Sequence, residues 1–302
     1  MKLLMLLCVV YSSLINAQVK VVYGTDGRQE VQTANRKWQS LAKSTAALIP
    51  IENLEYDSAR RVYKLSAKGQ KSLGESMNLC SGEKFSEQPN AAICSGFLTK
   101  NNVLITAGHC AKDSMANVCS SKKYVWVFDY KTSGGSNPMN MEFPAKNVTG
   151  CDRVLKADLD DVTDYAALKL TKKIKRSPLA LRTSGAIKKG EKLVVIGVPW
   201  GIPTKVTTGG RVLHNRNGVF FSASVDTFQG NSGSAVFNER TGLVEGILVR
   251  GKADSYQDQD YYCARVNTCD ENGNNCQSFM DNQKAEDITR MPFVYKKIKH
   301  LL

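Results

Sequence analysis

The chain has 302 residues, a formal charge of +13 and an ordinary globular balance of 42% hydrophobic and 8% aromatic residues, which excludes a disordered, collagenous or coiled-coil protein. The positive charge would suit an anionic partner, yet the lysines and arginines are scattered, with short clusters KKIKR at 172–176 and KKIK at 296–299. No nucleic-acid-binding motif accompanies them, so no nucleic-acid partner is expected.

Residues 1–17, MKLLMLLCVVYSSLINA, combine Lys2, a mostly apolar run from Leu3 to Ile15 and the small residue Ala17. This is the build of a cleaved secretory signal. A bilayer span needs about 20 apolar residues, and Tyr11, Ser12 and Ser13 interrupt this run, so no membrane span is expected. Cys8 lies inside the apolar run without the small residues that precede a lipid-attachment site. Eight of the nine cysteines remain once 1–17 are removed, an even number in an exported chain, which predicts disulfides in a secreted or periplasmic protein. A monomer is expected.

In the next segment, 18–80, Val31, Ala34, Trp38, Leu41, Ala42, Ala46 and Ile49 recur at near-helical spacing until Pro50. The segment reads as a pro-region or as a helix packed outside the main domain. From Ala91 onward the texture changes to short β-rich runs separated by turns: VLIT, YVWVFDY, AALKL, KLVVIGV, GVFFSASV, SAVF and LVEGILV. Such a succession predicts an all-β barrel or sandwich, divided here into 81–170 and 171–255. The stretch 256–302 opens with Cys263, Cys269 and Cys276 in a polar, disulfide-tied loop. Its DENGN run starts like a calcium loop, but Asn275 stands where the turn glycine belongs, so no metal is expected, and no cofactor motif is present. The tail from Ala285 places Ile288, Met291, Val294, Tyr295, Ile298 and Leu301 on one face, predicting a docked terminal helix.

Chemistry gathers at three places. CSGFLTKNNVLITAGHC, from Cys94 to Cys110, sets His109, one of only three histidines, beside a cysteine at the end of an apolar run. A disulfide between Cys94 and Cys110 would hold the end of the VLIT strand, and a general base works only when held within reach of its nucleophile. In DTFQGNSGSAVF, Gly230 and Gly233 flank Ser232, permitting a tight turn that exposes the hydroxyl and aims backbone N–H groups at one point. In ADLDDVTDYAALKL, four aspartates compete to orient the imidazole; Asp164 directly precedes the apolar run and is the choice, ahead of Asp158, Asp160 and Asp161. A glycine-serine turn, a lone histidine or an Asp before a strand is a weak signal alone. The constellation is stronger.

ITAGHC, DYAALKL and GNSGSAVF, in the order His, Asp, Ser, resemble the three signature blocks of trypsin/chymotrypsin-like serine proteases, and the GNSGS version resembles the bacterial branch that includes the glutamyl endopeptidases. VVYGTDGR from Val21 is similar to the start of mature enzymes in that branch. The resemblance implies two six-stranded antiparallel β-barrels with a C-terminal helix, a Cys94–Cys110 disulfide, and polypeptide substrates hydrolysed in the cleft between the barrels through an acyl-enzyme. It implies that His109 takes the Ser232 proton, that Asp164 holds the imidazole, and that the Gly230 and Ser232 N–H groups form the oxyanion hole. Pairing of the other six cysteines stays open among fifteen possibilities.

Two positions depart from the family. Asn231 stands where animal trypsins carry the aspartate that pairs with a new N-terminus, and Leu248 stands where glutamyl endopeptidases carry a histidine that receives acidic side chains. Asp226, six residues before Ser232, has the offset of the aspartate at the base of a trypsin's specificity pocket, which would select Lys or Arg. Arg250 and Gly251 in GILVRG belong to the expected pocket wall, and Arg250 could instead neutralise Asp226 or take an acidic side chain. The alternative function is an inactive homologue serving as a binding or adhesion module. An esterase of the α/β-hydrolase type would need the order Ser, Asp, His and alternating helices, and the chain has neither.

Overall fold

A computed structural model describes residues 21–112, 118–278 and 285–302; the signal-like segment 1–17 lies outside them. Two seven-stranded sheets dominate. In the first, the order is Val148–Thr149, Tyr124–Phe128, Thr45–Pro50, Cys94–Leu98, Val103–Thr106, Asp164–Leu170, Cys151–Leu159. Its two edge strands are consecutive in the chain, joined through Gly150. The sheet therefore curls on itself, sealed where the Gly150 N–H donates to Thr171 Oγ1 at 3.1 Å and the Thr171 N–H to the Gly150 carbonyl at 3.0 Å. Bulges between Cys151 and Arg153 and between Val154 and Lys156 bend the outer strand.

The second sheet runs Lys192–Gly197, Ala235–Asn238, Val244–Arg250, Glu286–Arg290, Phe220–Ser224, Lys205–His214, Arg28–Glu30. Lys192–Gly197 also pairs with Lys205–His214, closing a six-stranded barrel to which Arg28–Glu30 adds as an outer strand. Of the two closed barrels implied by the resemblance, one is closed by hydrogen bonds and the other is a curled sheet.

The near-helical pattern of 31–49 resolves into a short helix, Arg36–Ala42, capped by Asn35, and then the strand Thr45–Pro50. That strand lies between Tyr124–Phe128 and Cys94–Leu98. Ala47, Leu48 and Ile49 are fully buried; burial on both faces erases the alternation that marks a half-exposed strand. Where it is described, the segment 18–80 gives Arg28–Glu30 to the second large sheet and Thr45–Pro50 to the first, while Leu54–Asp57 and Val62–Leu65 pair in a separate three-stranded sheet with Glu142–Pro144. The tail divides likewise: 286–290 form a barrel strand, and the helix Met291–Ile298 with the 3-10 turn Lys299–Leu301 follows.

Four disulfides join Cys80 to Cys263, Cys94 to Cys110, Cys119 to Cys151 and Cys269 to Cys276. The expected loop after Gly251 contains a hairpin, Ser255–Asp258 with Cys263–Val266, and a strand, Thr268–Cys269, paired in parallel with Val22–Tyr23. No helix among the described residues is long and apolar enough to cross a membrane.

Candidate active site

His109 opens a short helix immediately after the strand Val103–Thr106. One of its ring nitrogens lies within 4.8 Å of the sulfurs of Cys94 and Cys110. Those sulfurs are bonded to each other, so this cluster is a staple rather than a ligand set. Asp164 begins the neighbouring strand, and the Ala166–Thr106 pairing brings it alongside His109. Asp164 Oδ2 stands 2.8 Å from His109 Nδ1, while Oδ1 accepts the backbone N–H groups of Gly108 at 2.5 Å and His109 at 3.2 Å. Both carboxylate oxygens are therefore committed to the histidine loop. The Asp164 side chain is 2% exposed and that of His109 is 17% exposed; the carboxylate is fixed and the imidazole keeps a solvent-facing edge.

The other three aspartates have separate duties. Asp158 accepts the Tyr165 hydroxyl at 2.6 Å, Asp160 caps its own turn through the Val162 and Thr163 N–H groups, and the Asp161 carbonyl accepts from Arg250.

Ser232 comes from the closed barrel, in the turn before Ala235–Asn238. The Ser95 N–H donates to its carbonyl at 2.8 Å, and Cys110 Sγ lies 3.7 Å from the same oxygen. Gly233, at φ +87°, packs so closely that a Cβ there would overlap the Ser95 carbonyl and the Thr106 hydroxyl. The serine turn is thus stacked on the segment that leads into His109.

Peptide orientation around Ser232 follows from the carbonyls. The Gln229 carbonyl accepts the Trp200 N–H at 2.5 Å, and the Asn231 carbonyl accepts the Ser234 N–H at 2.8 Å. In a trans peptide the N–H points opposite to its C=O, so the Gly230 and Ser232 N–H groups are turned away from those partners. The Gly230 N–H has no acceptor among the described residues. Gly230 holds φ +89°, and a Cβ there would overlap the Val198 carbonyl.

Residues 94–247 match the trypsin-like peptidase domain. The chain belongs to that family. The peptidase is a serine endopeptidase with the mostly β, trypsin-like fold. No curated protein matches it in sequence. Among solved structures, a Glu endopeptidase in complex with MPD is similar over 93% of this chain and 98% of its own, at 13% identity and a TM-score of 0.51. The Rv3671c protease of M. tuberculosis in its active form is similar over 93% of this chain and 89% of its own, at 12% identity and a TM-score of 0.46.

The expected specificity residues are arranged differently from the sequence reading. Asp226 is 4% exposed and turns to the N-terminal segment, accepting the Tyr23 and Gly27 N–H groups at 2.7 Å each. Arg250 does not pair with it. The guanidinium reaches Asp287 at 3.6 Å and stacks near Phe220 instead. Gly251 packs directly on a buried carboxylate that sequence reasoning missed, Glu286, which a Cβ at 251 would overlap. Glu286 Oε2 accepts the Thr227 hydroxyl at 2.9 Å, and Oε1 accepts the Tyr23 hydroxyl and the Lys252 N–H at 3.1 Å each. Its strand, Glu286–Arg290, is buried on both faces and runs directly into the helix Met291–Ile298, so no alternation in the sequence marks Glu286.

Ser95 was also missed. Its hydroxyl donates to the Gly230 carbonyl at 2.9 Å and accepts the Val198 N–H at 3.0 Å, linking the serine turn to both sheets. Leu248 is fully buried, its N–H bonded to the Ser234 carbonyl, and offers no polar group. Asn231 is buried beside Ser234, whose hydroxyl reaches its Oδ1 at 3.3 Å.

Proposed function

We propose that the peptidase cleaves polypeptides through an acyl-enzyme formed on Ser232, with His109 as base and Asp164 as its orienting carboxylate. The observation that carries this reading is the 2.8 Å contact of His109 Nδ1 with a buried Asp164, next to a serine turn packed on the same loop. Asp164 accepts the Nδ1–H and so fixes the tautomer that leaves Nε2 to take the Ser232 proton. The serine oxygen bonds to the scissile carbonyl carbon, and the resulting oxyanion accepts the Gly230 and Ser232 N–H groups, each worth roughly 3 kcal/mol of transition-state stabilisation. The imidazolium gives its proton to the leaving amine, and water then releases the acyl group by the same route. Export belongs to the proposal, since four disulfides need an oxidising compartment.

For the cleaved bond the reading favours a basic side chain, with Glu286 taking the part first given to Asp226. Glu286 lies between the segment that leads to Ser232 and Gly251, and its carboxylate accepts the Thr227 and Tyr23 hydroxyls and the Lys252 N–H. Its negative charge there is the complement of a substrate lysine or arginine.

One digest of a mixed-sequence peptide library, read by mass spectrometry, tests both parts. Ser232→Ala or His109→Ala should lose about 10⁶-fold in kcat with no further loss when combined, and Asp164→Asn about 10⁴-fold. Full activity in Ser232→Ala would instead favour a binding module with a contaminating protease. Glu286→Gln should lose cuts after Lys and Arg; cuts mainly after Glu, or an unchanged pattern, would sink Glu286 as the selector.

A further inference from the structure

The cluster KKIKR at 172–176, scattered surface charge in the sequence, becomes part of a shaped surface when the chain folds. It lies in the segment that connects the two sheets. Ile174 is 5% exposed and anchors the segment, its N–H donating to Asn102 Oδ1 at 2.9 Å. Arg176 is pinned to Asp129 at 2.5 and 3.1 Å. With Ile174 inward, Lys172, Lys173 and Lys175 project outward and are exposed.

A groove of about 1140 Å³ is lined by these three lysines with Lys43 and Lys146, contributed from distant parts of the chain. An adjoining groove of about 700 Å³ shares Lys172 and Lys173 and adds Lys100 and Lys169. Asp129 is the acid in the lining, and Arg176 already neutralises it. Elsewhere lysines find carboxylates: Lys64, Lys68, Lys84, Lys156 and Lys205 all do. Among the described residues, none of the lysines lining the two grooves makes such a pair. Burial and then the nearby Arg61 guanidinium hold the Lys172 ammonium below the usual lysine range.

We propose that these joined grooves form a binding site for an extended anionic polysaccharide, carrying sulfate or carboxylate groups. The lining contains no Phe, Tyr or Trp, so it lacks the stacking platform of a single-stranded nucleic-acid site. Its aliphatic members Leu98, Leu170 and Ile174 are buried, and the exposed apolar residues of the lining are Pro144 and Pro178, one in each groove, so charge rather than an apolar pocket dominates the surface. What remains is a run of compact ammonium charges on flexible stems, suited to a chain of repeated anions. The strand Asp164–Leu170 runs from His109 to this surface, on the order of 20 Å at about 3.3 Å per residue. A polymer held here leaves the cleft open, and binding is independent of the proposed hydrolytic mechanism.

The test uses the full chain, fluorescein-labelled heparin and anisotropy over a salt series. With about six anions neutralised, log Kobs should fall with log salt at a slope of about −4. Lys172→Glu, Lys173→Glu and Lys175→Glu combined should weaken binding at least tenfold. The matched control is Lys188→Glu, Lys189→Glu and Lys192→Glu, exposed residues outside the grooves, which should change it by less than about twofold because salt screens charges more than about 10 Å from the bound polymer. Thermal melting and hydrolysis of a short uncharged peptide should be unaltered in both, which separates lost binding from lost folding. Equal losses in the two triple variants would reduce the effect to net charge and overturn the proposal. So would absence of heparin binding, or competition by duplex DNA or poly-glutamate as effective per charge as heparin itself.

Discussion

Asp226 illustrates how a residue chosen for chemistry can serve architecture. Both its oxygens accept backbone N–H groups, yet burial, the largest influence, pushes its carboxyl up to about 6, with Asp26 adding in the same direction. In the unfolded chain the group is an ordinary carboxyl near 3.8. Between those values the folded state holds a proton that the unfolded state has lost. This contribution to stability is therefore full below about pH 4 and is lost as pH rises through about 6, by at most about 3 kcal/mol. Asp226→Asn cannot titrate, and its Nδ2 opposes one of the two N–H donors. The variant should be less stable than wild type at pH 4, with the gap narrowing by about 2 to 3 kcal/mol by pH 7. Urea midpoints at the two pH values measure this; a gap that is constant or widens with pH rules out the titration of Asp226 as its source. The offset from Ser232 that suggested a specificity role is real in sequence, but the N-terminal segment that claims the side chain is 199 residues away, and no local pattern shows that partnership.

At the scale of elements, legibility followed whether the deciding interactions were local. VLIT, YVWVFDY, AALKL and KLVVIGV read as strands because β-branched and aromatic residues carry their own signal, and each contains or lies within a strand, with Asp129, Tyr130 and Val198 falling just past the strand ends. Thr45–Pro50 did not, since two alanines and a three-residue spacing of apolar positions look helical until neighbours on both sides bury the segment. The strand Glu286–Arg290 is obscured in the same way by the helix that follows, and with it the buried Glu286 and, on the opposite face, Thr289, whose hydroxyl donates to the Asp164 carbonyl at 2.9 Å. His109, Asp164 and Ser232 stood out because each sits at a strand end or tight turn with a distinctive local sequence. Ser95, in the middle of a strand, bridges Gly230 and Val198 without any such mark. The cysteine pairings beyond Cys94–Cys110 depended on the global path of the chain, above all Cys80–Cys263 across a separation of 183 residues.

Across the whole molecule, the two sheets share a core. One contiguous cluster joins Leu48, Phe97, Leu104 and Trp126 of the curled sheet to Val194, Ile196 and Phe237 of the closed barrel, and it includes Met291, Val294 and Ile298 of the terminal helix. The proposed active site spans the same junction, with His109 and Asp164 on one side and Ser232 on the other. Its geometry therefore depends on contacts that neither sheet makes alone. Ile298 is fully buried, and Ile298→Ala should cost about 2 to 5 kcal/mol through lost transfer energy and a residual cavity. If the shared core makes the sheets one cooperative unit, that loss is global rather than confined to the barrel next to the helix. Native-state hydrogen exchange is expected to show the slowest amides of Tyr124–Phe128 and of Lys192–Gly197 losing the same opening free energy in Ile298→Ala. Loss confined to Lys192–Gly197 would mean that the sheets open separately, with the cleft formed between two independently stable halves.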